Sequence, residues 1–226
     1  MAEYEVAGSL AKVQSFFGVA SLGVDVRMPI EIPDADRADL AKLGRVLGAR
    51  RVVEVGVEQG EYAEALCRAN PEAHVYGVDP WKAMRGYRDH VSQEKLDGFY
   101  EATLRRMAAY AWTPMRGLSV EVAASAFAPR SLDFVYIDAN HNLPNVIADL
   151  AAWVPKVKDG GIIAGHDYCR RKRNGYQVHV VEAVGAWTSA YHVRPWFIVG
   201  RKDRIPGEKR DDSRSWFWVV DHEAHR

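Results

Sequence analysis

A strand in this sequence turns sharply into a helix through a seven-residue segment with glycines at its third and last positions. The segment, residues 54–60, follows the apolar pair Val52 and Val53 and reads ExGxxxG. Because Gly56 has no Cβ, it adopts positive φ at little cost and lets the backbone pass close to a bound molecule. A dinucleotide site instead has the spacing GxGxxG and places a pyrophosphate over the helix N-terminus. Glu58 would repel that pyrophosphate, so the turn predicts a different kind of ligand.

Apolar runs rich in β-branched residues alternate with helical patterns along the chain. The runs predict seven strands, at 51–55, 73–78, 112–116, 132–137, 162–164, 196–199 and 215–220. Helices are predicted at 34–48, 60–69, 92–110, 119–127 and 176–190, with another helix that contains Val146, Leu150 and Trp153. Asp34 is the predicted N-cap of the first helix. This rhythm is typical of α/β proteins with a doubly wound, mostly parallel sheet, and the last two strands predict an antiparallel edge.

The same pattern divides the chain into two parts. Residues 34–226 are predicted to form a single domain, because the chain is long enough for one sizeable core and short for two. Residues 1–33 form an N-terminal segment for which two roles stay open. It is either a lid over the ligand cleft or a contact between copies in a homo-oligomer.

The composition argues against several classes of partner. Lys plus Arg and Asp plus Glu number 30 each, so no net field attracts nucleic acid or an anionic membrane. No apolar stretch approaches the roughly 18 residues of a membrane span, and Glu3 and Glu5 stand where a signal peptide carries positive charge. Cys67 and Cys169 lack metal-ligand spacing and suit a reducing compartment. We therefore expect a cytoplasmic protein without a nucleic-acid or membrane partner.

Four carboxylates fall at or just past the ends of predicted strands. They are Glu54, Asp79, Asp138 and Asp167. In a doubly wound sheet the ligand lies outside the carboxyl ends of the strands, so the four side chains should share one rim. A single Asp in a loop is usually a turn residue or a helix cap. Four carboxylates at the ends of four strands favour a ligand site.

The pattern ExGxxxG resembles motif I of the class I S-adenosylmethionine (SAM) dependent methyltransferases, whose ligand is a cationic sulfonium. The resemblance implies a Rossmann-like sheet with the strand order 3-2-1-4-5-7-6. It also implies that SAM lies against four residues of the rim and the turn, namely Glu54, Gly56, Gly60 and Asp138.

Three further residues are candidates for contacts with SAM. Asp79 lies about twenty residues past the glycine turn, where nucleotide-binding α/β folds place an acid that accepts hydrogen bonds from ribose. Trp81 either packs on the adenosine face or belongs to the core. In the family, a segment after the third strand reaches the adenine, and here it corresponds to residues 116–119. Ser119 is the candidate in it, unless this side chain caps the following helix.

The stretch 131–141 and the later sequence Gly165-His166-Asp167 look like the metal-dependent O-methyltransferases, in particular the macrocin and mycinamicin sugar enzymes. That resemblance implies a divalent metal, commonly Mg²⁺, on Asp138 and Asp167, with His141 as the base. In those sugar enzymes the residue before the second metal aspartate is also acidic, whereas here it is His166. We include His166 as a candidate metal ligand. Two alternatives stay open, namely that it contacts a residue that binds the metal and that it has no role at the metal.

The chemistry of a hydroxyl acceptor supports this assignment. A sugar-type hydroxyl has a pKa far above neutrality, so it must lose its proton as it attacks the SAM methyl. Metal coordination lowers that pKa, two carboxylates fix the ion, and an imidazole can accept the proton. Hard oxygen ligands favour Mg²⁺, Ca²⁺ or Mn²⁺. The sequence therefore predicts O-methylation of a small hydroxylated molecule, a sugar or another natural product.

Other residues of the sequence bear on alternative functions. Amino-methylating enzymes of the fold resemble one another in an Asn/Asp-Pro-Pro-Tyr/Phe tetrapeptide, and residues 138–141 read Asp-Ala-Asn-His instead. The basic run 170–173 is either a solvated loop or a site for a phosphate or carboxylate on the acceptor, and it is too short to indicate nucleic acid. Two alternatives stay open. They are a SAM-binding module without methyl transfer and an NAD(P)-dependent oxidoreductase, for which the turn should read GxGxxG.

Overall fold

The computed structural model describes residues 2–20, 26–84, 92–173, 176–203, 211 and 213–225. The strands in these ranges are β1 Ile30–Ile32, β2 Arg51–Val55, β3 His74–Asp79, β4 Trp112–Arg116, β5 Leu132–Ile137, β6 Val157–Gly165, β7 Lys172–Arg173, β8 Tyr176–Gln177, β9 Trp196–Val199 and β10 Ser215–Val219. The α-helices are α1 Ala2–Phe17, α2 Arg37–Leu47, α3 Glu61–Ala69, α4 Gln93–Met107, α5 Ser119–Ala126, α6 Leu143–Trp153 and α7 Val180–Ala190.

Eight of the strands form one sheet, in the order β1-β9-β10-β6-β5-β2-β3-β4. The seven predicted strands follow the expected order 3-2-1-4-5-7-6 within it. β10 is antiparallel to both β6 and β9, and the other pairs of the sheet are parallel. The sheet has one strand more than the sequence predicted, because β1 pairs with β9 and occupies the edge. The predicted antiparallel strand is confirmed and is β10. The strands β9 and β1 follow it toward the edge of the sheet.

Helices cover both faces of the sheet. Successive side chains of a strand point to opposite faces, so on β2 Val52 belongs to one buried cluster and Val53 to another. The helices α1 to α4 contribute to the first cluster and α5 to α7 to the second. Because the central strands are parallel, their carboxyl ends meet at one rim of the sheet.

Among the described helices, none combines the length and apolar character needed to cross a bilayer.

Two helices begin three or more residues later than predicted, and α4 ends at Met107 rather than at residue 110. The N-cap of α2 is Asp36, so the prediction of Asp34 is wrong. The Asp36 side chain accepts hydrogen bonds from the backbone N–H groups of Ala38 and Asp39, and the Asp39 side chain accepts one from the N–H of Asp36. This reciprocal capping box satisfies two backbone donors at the start of the helix. The last helix begins later than predicted, because β7 and β8 form an antiparallel hairpin before it.

The N-terminal segment belongs partly to the sheet and partly to its covering layer. Helix α1 packs against β6, and its Val6 and Val13 are buried in the first cluster. The ring of Phe17 lies 5.7 Å from that of Phe217 in the sheet. Residues 21–25, between α1 and β1, lie outside the described ranges. A role of residues 1–33 as a lid or oligomer contact stays a prediction.

Candidate active site

A cavity of about 690 Å³ opens at the carboxyl ends of the central parallel strands. Its wall comes from the turns after β2, β3 and β5 and from residues in the first turns of the four helices α2 to α5. The lining residues that matter below are Arg37, Glu54, Gly56, Asp79, Trp81, Ser119, Asp138 and His141. Three of the four predicted rim carboxylates therefore line one cavity. The fourth, Asp167, joins it through a contact with His141.

The glycine turn brings the ends of β2 and β5 together. Gly56 has a φ of +90°, and a Cβ at this position would lie 2.1 Å from the carbonyl oxygen of Asp138. Gly60 also has positive φ and is the N-cap of α3. Only a glycine at position 56 allows the two strand ends to approach this closely. The turn that the sequence singled out therefore forms part of the cavity wall.

Asp79 ties the turn after β2 to the end of β3. One carboxylate oxygen accepts hydrogen bonds from the backbone N–H groups of Val57 (3.0 Å) and Glu58 (3.1 Å), and the other accepts one from Trp81 (2.7 Å). Burial raises the pKa of Asp79 above its usual value, although the three hydrogen bonds oppose this. An ionised carboxylate offers about four acceptor positions. Asp79 can therefore still accept a hydrogen bond from a ligand hydroxyl.

Trp81 is both a core residue and a lining residue. Its side chain is fully buried, and its indole N–H donates a hydrogen bond to the carbonyl oxygen of Glu58 at 2.8 Å. Its ring centroid lies 4.8 Å from that of Tyr100. The contact with adenosine that the sequence left open stays a prediction.

Ser119 is held by two residues of α6. Its hydroxyl donates a hydrogen bond to Asp149, and the indole N–H of Trp153 donates one to the Ser119 oxygen at 2.8 Å. The alternative that its side chain caps a helix is wrong, because the N-cap of α5 is Leu118 and no side-chain capping bond forms there. One acceptor position of the hydroxyl remains available to a ligand.

Asp149 is a buried acid that the sequence analysis missed. It is 4% exposed, and burial raises its pKa from the usual 3.8 to about 6, opposed by the hydrogen bond from Ser119 and the charge of His141. One signal was present in the sequence. An aspartate stands on the face of α6 that carries Val146, Leu150 and Trp153, where an apolar residue would otherwise be expected.

Glu54 is buried with one unsatisfied oxygen. The side chain is 2% exposed, and its Oε2 atom has no hydrogen-bond partner among the described residues. Burial raises its pKa well above the usual value, the nearby charges of Asp138 and Asp79 raise it further, and Arg37 lowers it. A buried acceptor without a donor costs free energy. A cationic or hydrogen-bond-donating ligand in the cavity would remove that cost.

Asp138, His141 and Asp167 form a compact group at one wall of the cavity. One donor atom from each lies within 4.8 Å of the other two. The Nε2 atom of His141 is 3.2 Å from a carboxylate oxygen of Asp138 and 3.2 Å from one of Asp167. Asp167 has a φ of +52°, an uncommon conformation for a residue with a Cβ. Two carboxylates and an imidazole converge on one point, which is a suitable donor set for a divalent cation.

The charges around Asp138 keep it ionised. Burial alone would raise the pKa of Asp138, but the hydrogen bond with His141 and the charges of His166, His141 and Arg37 lower it below the usual value. The Nδ1 atom of His166 lies 3.6 Å from Asp138 and 3.8 Å from Asp167. His166 is thus near the group, although its nitrogen lies farther from both carboxylates than that of His141. Its role as a metal ligand stays a prediction.

Two charged residues that the sequence analysis missed complete this wall. Arg37, the first residue of α2, has its Nε 2.9 Å from a carboxylate oxygen of Asp211 and its Nη1 3.6 Å from one of Asp138. Asp211 also lies 3.8 Å from Nε2 of His166, which has no hydrogen-bond partner in the described part of the chain. No local pattern marks either residue, because both approach the site from elements far away in sequence.

The basic run 170–173 is only partly described. The Arg170 side chain pairs with Glu182 of α7 at 2.9 Å, and the side chains of residues 172 and 173 lie outside the description. The contact of Arg170 agrees with a solvated loop. Recognition of an anionic acceptor by this run stays a prediction.

Comparison with known proteins identifies the family. The family described as "Methyltransferase domain" matches residues 53–168, just over half of the chain. The fold is similar to that of the O-methyltransferase TomG from Streptomyces achromogenes, which is involved in tomaymycin synthesis and was solved in complex with SAM. The identity is 17%, the TM-score is 0.55, and the match covers 96% of this chain and 90% of TomG.

An O-methyltransferase from Bacillus cereus, solved in complex with SAH, gives the same identity and TM-score over 97% of this chain and 100% of that one. A comparison with curated proteins gives no match. The two solved structures support the fold, and the family match covers the glycine turn, Asp79 and the Asp138–His141–Asp167 group. The chain therefore belongs to the methyltransferase-domain family.

Proposed function

We propose that this protein transfers the methyl group of SAM to a hydroxyl of a small molecule with the help of a divalent cation. One observation carries the proposal. A single cavity joins the glycine turn and Asp79 to the Asp138–His141–Asp167 group. Family membership supports methyl transfer, and the similar fold of TomG and the Bacillus cereus enzyme, solved with SAM and SAH, supports the choice of cofactor.

The chain offers SAM contacts along this cavity. Asp79 would accept hydrogen bonds from the ribose, and Ser119 would accept one from the adenine through its remaining acceptor position. Glu54 and Asp138 would lie beside the amino-acid end, close to where β2 and β5 meet at Gly56. The methyl group and the acceptor hydroxyl would then meet beside the Asp138–His141–Asp167 group.

The donor set fits a divalent cation. Asp138 and Asp167 would hold the ion through hard oxygen atoms, and His141 would be the third ligand, because its Nε2 is equally distant from both carboxylates. A cation bound there would lower the pKa of the acceptor hydroxyl. The role as base that the sequence predicted for His141 is the alternative. The two roles differ in a measurable way, because a ligand contributes to cation affinity whereas a base contributes to turnover alone.

Calorimetry with SAM and SAH tests the cofactor part of the proposal. We expect both to bind, and we expect Asp79→Ala to weaken binding on the order of a hundredfold, since it removes ribose contacts and releases the turn. Asp97→Ala is the control, because Asp97 is half-exposed and pairs with Arg116 at the surface. Binding of NAD(H) with no response to SAM would contradict the proposal.

Labelled SAM and a panel of glycosides and catechols test the reaction. Turnover should disappear with EDTA and return with Mg²⁺ or Mn²⁺. A Mn²⁺ titration of His141→Ala separates the two roles of this residue, since loss of cation affinity identifies a ligand and unchanged affinity with lost turnover identifies a base. Full turnover in EDTA would exclude the cation. Tight SAM binding without transfer to any acceptor would favour a SAM-binding module.

A further inference from the structure

Arg37 occupies a defined position in the cavity wall. Its guanidinium carbon lies 5.3 Å from the centre of the Tyr62 ring, and the Tyr62 hydroxyl donates a hydrogen bond to the Arg37 carbonyl oxygen at 2.9 Å. The pair with Asp211 fixes the Nε side of the group. These contacts hold the side chain in place, with 29% of it exposed. Arg37 is therefore positioned before any ligand arrives.

The guanidinium still has donors to offer. It carries five N–H groups, and its described ion pairs are a close one from Nε to Asp211 and a longer one, 3.6 Å, from Nη1 to Asp138. Among the described lining residues, the other lysine or arginine is Lys82, which follows the end of β3. The part of the cavity next to Glu54 and Asp138 thus has a single permanent cation in its described wall.

The neighbouring Glu54 indicates what kind of ligand group belongs here. Glu54 lines this cavity, and its buried Oε2 has no donor among the described residues, so a hydrogen-bond donor or a cation on the ligand would satisfy it. The amino-acid end of SAM carries an α-ammonium and an α-carboxylate on the same carbon. An ammonium near Glu54 would place the carboxylate within reach of a guanidinium on the adjacent wall. Arginine binds carboxylates through two parallel hydrogen bonds.

We infer that Arg37 binds the α-carboxylate of SAM and that Glu54 receives its α-ammonium. The inference depends on the proposed function, because it assigns the amino-acid end of the same cofactor. Arg37 would then make the site selective for SAM and SAH over analogues that lack the α-carboxylate. Its pairs with Asp138 and Asp211 would hold the guanidinium in place for that contact.

Calorimetry with SAH and decarboxylated SAH tests the inference without turnover. For the wild-type protein, removal of the carboxylate should weaken binding on the order of tenfold to a hundredfold. Arg37→Ala should weaken SAH binding by a similar factor and leave decarboxylated SAH almost unaffected, so the ratio of the two affinities falls to about one. Arg37→Lys should restore part of the ratio, because it keeps the charge and loses the fork geometry.

Lys82→Ala is the matched control, since it removes the other described cation of the wall and should leave the ratio unchanged. Thermal unfolding of each variant establishes that it is folded, and Arg37→Lys carries the test if Arg37→Ala does not fold. An unchanged ratio in the Arg37 variants, or a ratio lost only in Lys82→Ala, would overturn the inference. Failure of the wild-type protein to bind SAH would instead remove the proposed function.

Discussion

Asp138 lines the cleft and Asp149 lies behind Ser119, and the protein shifts their pKa values in opposite directions. Both are buried, which disfavours the charged form. Asp138 has two histidines and Arg37 close enough to outweigh burial, so its pKa is lowered. Asp149 has a hydrogen bond from Ser119 and a more distant histidine, so burial prevails and its pKa rises to about 6. The surroundings of the two aspartates, and not the residue type, therefore decide that Asp138 is the one that is ionised and suited to bind a cation.

The raised pKa of Asp149 predicts a pH dependence of stability. The folded state binds this proton more tightly than the unfolded state, so the contribution of Asp149 to stability is greatest below about pH 4 and falls as pH rises through about 6. A shift from 3.8 to about 6 corresponds to a loss of up to about 3 kcal/mol in the free energy of unfolding. Asp149→Asn removes this titration and keeps an oxygen to accept the Ser119 hydrogen bond.

Urea unfolding of both proteins between about pH 4 and pH 7 measures the effect. The variant should gain stability relative to wild type as pH rises through this window, because only the wild type has a carboxyl to ionise. Glu121→Gln is a control for a surface acid, since Glu121 is exposed at the start of α5. A difference between wild type and Asp149→Asn that stays constant with pH would contradict the prediction.

At the scale of elements, the strands that carry the site were predictable because they are continuous apolar runs with clear ends. The bounds of β2 and β5 agree with the sequence prediction, and the acids at or after them follow from the topology. β1 was missed because it has three residues, including an exposed Glu31. Arg37 and Asp211 were missed for another reason. The strand-end rule places residues of the sheet, whereas these two reach the site from a helix start and a loop.

The glycine turn predicts a test in which one methyl group disrupts the site. In Gly56→Ala, the new Cβ would meet the Asp138 carbonyl oxygen, and the residue would keep an unfavourable positive φ. We expect a loss of roughly 3 kcal/mol or more in the free energy of unfolding and a loss of SAH binding. Thermal unfolding and calorimetry measure the two effects.

Gly98→Ala is a control in which the expected change in the free energy of unfolding has the opposite sign. Gly98 lies inside α4, and a Cβ there would meet nothing within 4 Å. Alanine is a better helix former than glycine, so this variant should gain about 0.5–1 kcal/mol and bind SAH normally. If Gly56→Ala behaved like Gly98→Ala, the close approach of β2 and β5 at this turn would be wrong.

For the molecule as a whole, the N-terminal segment is the part whose role the sequence left most open. A lid would make few contacts with the core when open, whereas α1 places Val6 and Val13 in the buried cluster of one sheet face. Burial of a valine side chain contributes about 1.5–3 kcal/mol. The two together thus contribute about 3–6 kcal/mol, a large share of the roughly 5–15 kcal/mol that stabilises a typical domain.

Deletion of residues 2–20 therefore predicts a fall of roughly 10 °C or more in the temperature of unfolding, because the face of β6 that α1 covers becomes exposed to water. Differential scanning calorimetry with and without SAH measures it. Tyr4→Ala is the matched control, since Tyr4 is 85% exposed on the same helix and its removal should change little. A segment that acts only as a lid would give a truncated protein with the wild-type unfolding temperature and altered turnover. That result would show that α1 does not stabilise the sheet.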